Sequence, residues 1–212
     1  MKIGIILIAL LLVAFPCYAS DVGVEVKAGL YFPTDEEIQK GKNVQANLEW
    51  KNIYLFGQWI STERRIAGQR AGMLDIYGIG VGLKMPINKY LKVWSQIGYY
   101  IPNSEMSGTM KFEESQWLYW RDFGERFAYN GVTPLTVYSY EIKSDFGGAI
   151  GLEGKYPITK HIETGLDFGY NLLQFKEQFW ARHPKVSESW IETRQTKNFS
   201  GFTLGLSATW RF

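Results

Sequence analysis

Phe202, Leu204, Leu206, Ala208, Trp210 and Phe212 occupy alternate positions at the end of the sequence, with Gly201, Thr203, Gly205, Ser207, Thr209 and Arg211 between them. Side chains of a β-strand point alternately to its two faces. This segment is therefore a strand with one apolar face and one face of small and polar residues. The apolar face must meet either a protein core or lipid.

Seven earlier segments alternate in the same way. The first sets Val22, Val24, Val26, Ala28, Leu30 and Phe32 against Gly23, Glu25, Lys27, Gly29 and Tyr31. The second sets Val44, Ala46, Leu48 and Trp50 against Asn43, Gln45, Asn47 and Glu49. The third, Ile53 to Ser61, is apolar on both faces, and periodicity leaves it undecided. A two-residue turn at Lys51-Asn52 would pair Trp50 with Ile53 and send Ile53, Leu55 and Trp59 outward, with Tyr54, Phe56 and Gln58 inward. The fourth sets Tyr77, Ile79, Val81 and Leu83 against Gly78, Gly80, Gly82 and Lys84. The fifth sets Leu91, Val93, Ile97, Tyr99 and Ile101 against Lys92, Trp94, Gln96, Gly98 and Tyr100. The sixth, read as one strand, sets Tyr138, Tyr140, Ile142, Phe146, Ile150 and Leu152 against Asp145, Gly147, Ala149, Gly151 and Glu153. The seventh sets Ile162, Leu166, Phe168, Tyr170 and Leu172 against Glu163, Gly165, Asp167, Gly169 and Asn171.

Short and long connections alternate between these strands. Short ones lie at 51–52, 85–89 and 156–160, and long polar ones near 33–42, 62–73, 102–134 and 174–198. Membrane barrels of bacteria have this asymmetry, with short periplasmic turns and long extracellular loops. The expectation is an all-β, eight-stranded antiparallel transmembrane barrel with four longer outer loops. Ten strands is the alternative count, with the third loop supplying another hairpin.

The N-terminus points to export. Met1-Lys2, the apolar run Ile3 to Phe15 and the small Ala19 have the layout of a signal peptide over residues 1–19, leaving 20–212 as the barrel domain. The apolar run is shorter than the roughly 20 residues of a spanning helix. Cys17 could be a lipidated cysteine, but Pro16 before it fits that processing poorly; the expectation is that it leaves with the signal, so that the mature chain offers no disulfide and no thiolate chemistry. Lys and Arg total 23 against 21 Asp and Glu, and nothing in this near-neutral balance suggests a nucleic-acid binder, which would show a basic domain or stripe. No metal-ligand spacing, phosphate loop or dinucleotide fingerprint appears, so neither metal nor cofactor is expected.

A soluble sandwich would also alternate. Against it stand the inward glycines, where a solvated face would carry Lys, Glu and Thr. Aromatics also sit near the ends of the apolar faces, where a membrane interface places its girdle. With the signal peptide, the glycine-laced strands and the final Trp210-Arg211-Phe212, the chain resembles the small bacterial outer-membrane β-barrel proteins. That group includes the transmembrane domain of outer-membrane protein A and the opacity proteins. The resemblance implies location in the outer membrane. It also implies that Phe212, with Trp210, Ala208 and Leu206, is the signal read by the barrel-assembly machinery.

An eight-stranded barrel is just wide enough for its side chains to fill it. Glu25, Lys27, Glu49, Lys92, Asp145, Glu163, Asp167 and Arg211 all point inward and mix both signs. Unpaired buried charges are costly, so this set is expected to form a paired network that plugs the lumen. A narrow pore in which pairs exchange is the alternative. The loops carry whatever is specific. Trp117, Trp120, Arg121 and Arg126 in the third, and Trp180 and Arg182 in the fourth, are candidate surface contacts of the kind binding hot spots use. Outer-membrane lipids and lipopolysaccharide are the expected neighbours, since Arg suits phosphate. Enzymatic modification of lipid A would need His with Ser and an acid near the outer rim. His183 has Ser187, Glu188 and Ser189 nearby, but no nucleophile–base spacing stands out. The function expected is therefore non-enzymatic, structural or surface-interacting.

Overall fold

The computed structural model describes residues 22–66, 69–104, 108–112, 133–182 and 191–212. Its strands are β1 (Val22–Pro33), β2 (Gly41–Trp50), β3 (Ile53–Ile66), β4 (Gln69–Pro86), β5 (Leu91–Ser104), β6 (Gly108–Phe112), β7 (Thr133–Ile142), β8 (Asp145–Pro157), β9 (Ile162–Leu172), β10 (Gln174–Arg182), β11 (Ile191–Asn198) and β12 (Gly201–Arg211). Eight close into an antiparallel barrel in the order β1-β12-β9-β8-β5-β4-β3-β2, and β2 pairs with β1. The other four form a separate sheet, β11-β10-β7-β6.

The barrel strands carry the faces that alternation requires. Ile79 is 67% exposed on the outside, whereas its neighbours Gly78 and Gly80 face inward. The exposed set continues around the barrel through Leu30, Leu55, Val81, Ile97, Ile150, Leu166 and Leu204. A soluble protein rarely exposes a contiguous apolar patch of more than a few hundred Å², so this girdle belongs in hydrocarbon. Trp50 pairs with Ile53, and Lys51 takes a φ of 56°, the left-handed conformation that lets so short a turn follow the strand twist. Ile53, Leu55 and Trp59 accordingly face outward, and Tyr54, Phe56 and Gln58 inward.

Inward glycines make room for rings. A Cβ at Gly151 of β8 or Gly169 of β9 would collide with the Trp94 indole. Likewise, Gly82 leaves the space occupied by the Tyr54 ring.

Three expectations are corrected. The additional strands do not enlarge the barrel to ten; they pair with one another beyond its loop end. The long connections 102–134 and 174–198 are not simply polar loops, since β6, the start of β7, β10 and β11 arise within them. Finally, the sixth alternating stretch is two strands. It breaks at Lys143-Ser144, with β7 in the second sheet and β8 in the barrel. Ile142 is consequently buried rather than lipid-facing. Alternation persisted across the break because each strand has its own half-buried face, and period two cannot tell which sheet a strand joins.

The proposed signal peptide, the loop residues Trp117, Trp120, Arg121 and Arg126, and His183 with its neighbours lie outside the described residues. Trp180 and Arg182 fall in β10, but their side chains lie outside what is described.

Candidate functional site: the filled lumen

The lumen is built in layers, because successive inward residues of each strand stand about two residue steps apart along it. At the end with the short turns, Arg211 of β12 and Glu163 of β9 pair at 3.2 Å, and Arg211 Nη2 is 3.5 Å from Glu49 Oε2. A cavity of about 400 Å³ opens here, lined among others by Lys84, Lys92 and Arg211.

Above it lies the buried ionic layer. Lys84 Nζ donates to Glu25 Oε2 at 2.5 Å, to Glu153 Oε2 at 3.0 Å, and to Glu49. Lys155 Nζ is 2.7 Å from Glu25 Oε1 and donates to Thr209 Oγ1 at 2.8 Å. Lys27 Nζ donates to Asp167 Oδ1 at 2.5 Å and lies 4.6 Å from the centre of the Trp94 ring. Desolvating an ion costs several kcal/mol even after relaxation, and attraction offsets that only with close geometry and satisfied hydrogen bonds. At Glu25 both demands are met, since Asn47 and Thr209 also donate to it, whereas Glu153 Oε1 is buried with only Lys27 Nζ, 4.0 Å away, as its cation. Glu25, Glu49, Glu153, Glu163 and Asp167 are matched in number by Lys27, Lys84, Lys92, Lys155 and Arg211, so the formal charges of these inward residues cancel.

Next comes an amide and phenol layer. Gln45 Nε2 donates to Gln96 Oε1 at 3.0 Å, and Gln96 Nε2 to Gln58 Oε1 at 3.3 Å. Gln58 Nε2 donates to Asn43 at 2.8 Å and Asn171 at 3.3 Å, while Tyr100 OH donates to Gln58 Oε1 at 3.2 Å. Beyond this layer Ile60, Leu74, Ile76, Leu173, Phe175 and Phe199 are fully buried. Phe175 and Phe199 lie 5.3 Å apart, and Tyr31 OH donates to the Phe199 carbonyl. A second ion cluster covers this apolar layer. Arg64 of β3 reaches Glu37 at 2.6 Å and Glu177 of β10 at 3.3 Å, and Lys197 of β11 reaches Glu37 at 2.5 Å and Asp35 at 2.8 Å. These pairs join the second sheet to the barrel.

Of the inward charges read from the sequence, the structure brings Glu25, Lys27, Glu49, Glu163, Asp167 and Arg211 into one network. Lys92 lines the cavity beside it. Asp145 stands apart: it is exposed at the loop end of β8, where its carboxylate accepts the Phe146 N–H at 2.8 Å. The strand begins there, so Asp145 lies past the enclosed wall. Lys84 and Glu153 were legible as inward residues but not as the centre of the network, and Lys155 was missed. Parity alone would have included it, two residues beyond Glu153. Arg64 was missed because 62–73 read as a loop. Nothing in its local sequence signals burial.

No protein-family model and no curated protein matches the chain. Among solved structures, it is similar to outer membrane protein OprG from Pseudomonas aeruginosa, at 8% identity and a TM-score of 0.53, over 91% of this chain and 98% of that one. Neisserial surface protein A aligns over the same shares at 9% identity and a TM-score of 0.48. Outer membrane protein AlkL aligns over 92% of each chain at 13% identity and a TM-score of 0.45. At such identities the first likeness speaks for the fold alone. With its eight-stranded closure, its apolar girdle and that shared fold, the chain is a small β-barrel of the bacterial outer-membrane type.

Proposed function

We propose that this protein is a non-enzymatic outer-membrane barrel whose lumen is a side-chain plug. Its role is structural and surface-presenting: the barrel anchors the β6–β7–β10–β11 sheet and its connecting segments outside the cell. One observation carries the reading. The lumen is crossed in turn by an ionic layer, an amide layer and a fully buried apolar layer, and Lys84 of the ionic layer lines the cavity at the turn end. A solute would have to break the Lys84 contacts and then displace Ile60, Leu173 and Phe199. In this reading Trp117, Trp120, Arg121, Arg126, Trp180 and Arg182 belong to the presented surface.

Conductance in planar bilayers tests it. The purified protein is expected to give no large, long-lived openings. Sustained single-channel conductance would overturn the plug and favour the narrow pore.

A further inference from the structure

Within the ionic layer, Lys27 and Asp167 stand as a pair of their own. Asp167 is buried, and among the described residues its carboxylate meets one cation, Lys27, whose Nζ lies 2.5 Å from Oδ1. Lys84, by contrast, is shared among Glu25, Glu49 and Glu153, and Lys155 is spread over those three and Glu163. Two further carboxylates flank Lys27 beyond hydrogen-bond reach, Glu25 Oε2 at 3.8 Å and Glu153 Oε1 at 4.0 Å. Glu153 Oε1 is buried and has no hydrogen-bond partner. The centre of the Trp94 ring lies 4.6 Å from Lys27 Nζ, so an aromatic face covers one flank of the ammonium.

A buried amine, a buried carboxyl and a carboxylate oxygen with no other partner are the components of an amide-forming reaction. With a C–O bond of about 1.23 Å, Lys27 Nζ stands roughly 3–3.4 Å from Asp167 Cγ, the separation of a near-attack arrangement. Groups held in this way react as if at about 10⁵–10⁸ M when well aligned. Condensation would also remove two buried charges, whose desolvation opposes folding.

We propose that Lys27 and Asp167 condense to an isopeptide bond that ties β1 to β9 across the intervening β12. Glu153 Oε1 takes a proton from the Lys27 ammonium, and the freed amine attacks Asp167 Cγ. The Nζ–Cγ bond forms, the bond from Cγ to one carboxylate oxygen breaks, and that oxygen leaves as water. It takes one proton back from Glu153 and a second from the attacking nitrogen, so no co-reactant is consumed. One positive and one negative charge disappear together, which leaves the balance of the inward charges unchanged. The bond is independent of whether the lumen conducts.

The test is peptide mass spectrometry of the full-length mature protein, refolded into detergent micelles from urea so that the starting chain is unlinked. Samples taken during and after folding are boiled in SDS and digested with trypsin. The expected product is a branched peptide joining the Lys27 and Asp167 segments, lighter by about 18 Da than the two together. Glu153→Gln is expected to slow its formation by about tenfold or more, and Asp167→Ala to abolish it. Separate, unmodified Lys27 and Asp167 peptides from fully folded wild type would overturn the proposal. So would the same mass loss confined to the Asp167 peptide, which marks a succinimide instead. An undiminished rate in folded Glu153→Gln would overturn the part given to that residue. If neither variant folds, the branched peptide in the wild type decides the matter.

Discussion

Lys84 Nζ lies 2.5 Å from Glu25 Oε2, joining β4 to β1 directly across the lumen although β2 and β3 separate these strands along the wall. The same ammonium also meets Glu49 and Glu153, so a single cation from β4 ties β1, β2 and β8 together. Replacing it with Met leaves carboxylates buried with less compensation. Removing one partner of a buried pair costs about 3–5 kcal/mol, and Lys84→Met is expected to fall in that range. Urea unfolding in detergent micelles or lipid vesicles measures it, and a loss below about 1 kcal/mol would mean the network is hydrated.

Trp94 needs two bare backbones to lie against. Gly151→Leu puts a branched side chain where the indole rests. Overpacking of this kind costs about 1–3 kcal/mol. The temperature at which the folded band disappears in semi-native gels is expected to drop, whereas Gly57→Ala, with open space at its Cβ, should leave it unchanged.

The girdle assignment can be tested at Leu204, which is exposed on the outer face and pairs with Leu30 and Phe168. A charge at mid-bilayer on the lipid face costs about 2–4 kcal/mol. Leu204→Arg is expected to lose that much on unfolding from lipid vesicles. A surface facing water would tolerate the change.

Phe212 joins the two ends of the barrel. Its backbone N–H donates to the Val22 carbonyl at 3.1 Å, and its ring is exposed on the outer face. Deleting it removes one hydrogen bond, worth about 1 kcal/mol. If the ring is read during assembly, the yield of folded protein in the outer membrane will fall several-fold while unfolding of the purified variant shifts little. Equal losses in both measurements would reduce Phe212 to a structural role.

Orientation follows from single cysteines, since Cys17 is the one cysteine of the sequence and precedes the described strands. Glu36→Cys, at the loop end, should react with a membrane-impermeant maleimide on intact cells. Lys89→Cys, in a short turn, should react only after the outer membrane is permeabilised. The reverse pattern would invert the topology.

Much of the barrel was legible because period two is exact. Gly78-Ile79-Gly80-Val81-Gly82 states its two faces without help from any neighbour, and the Lys51-Asn52 turn carries the assignment from β2 into β3. The β7–β8 break was not legible. Tyr140, Ile142 and Phe146 keep the same parity on both sides of Lys143-Ser144, and alternation carries no information about pairing partners.

Alternation alone assigns these strands a lipid face and a lumen face, and so turns Glu25, Lys84 and Glu153 inward. That these three meet follows from the closed barrel. Which inward residues share a layer depends on how far each strand is staggered on its neighbour when the barrel closes, a quantity set by the whole ring of pairings. The same closure left Asp145 outside the network and made Arg64, unremarkable in its local sequence, one of the cations that join the barrel to the sheet above it.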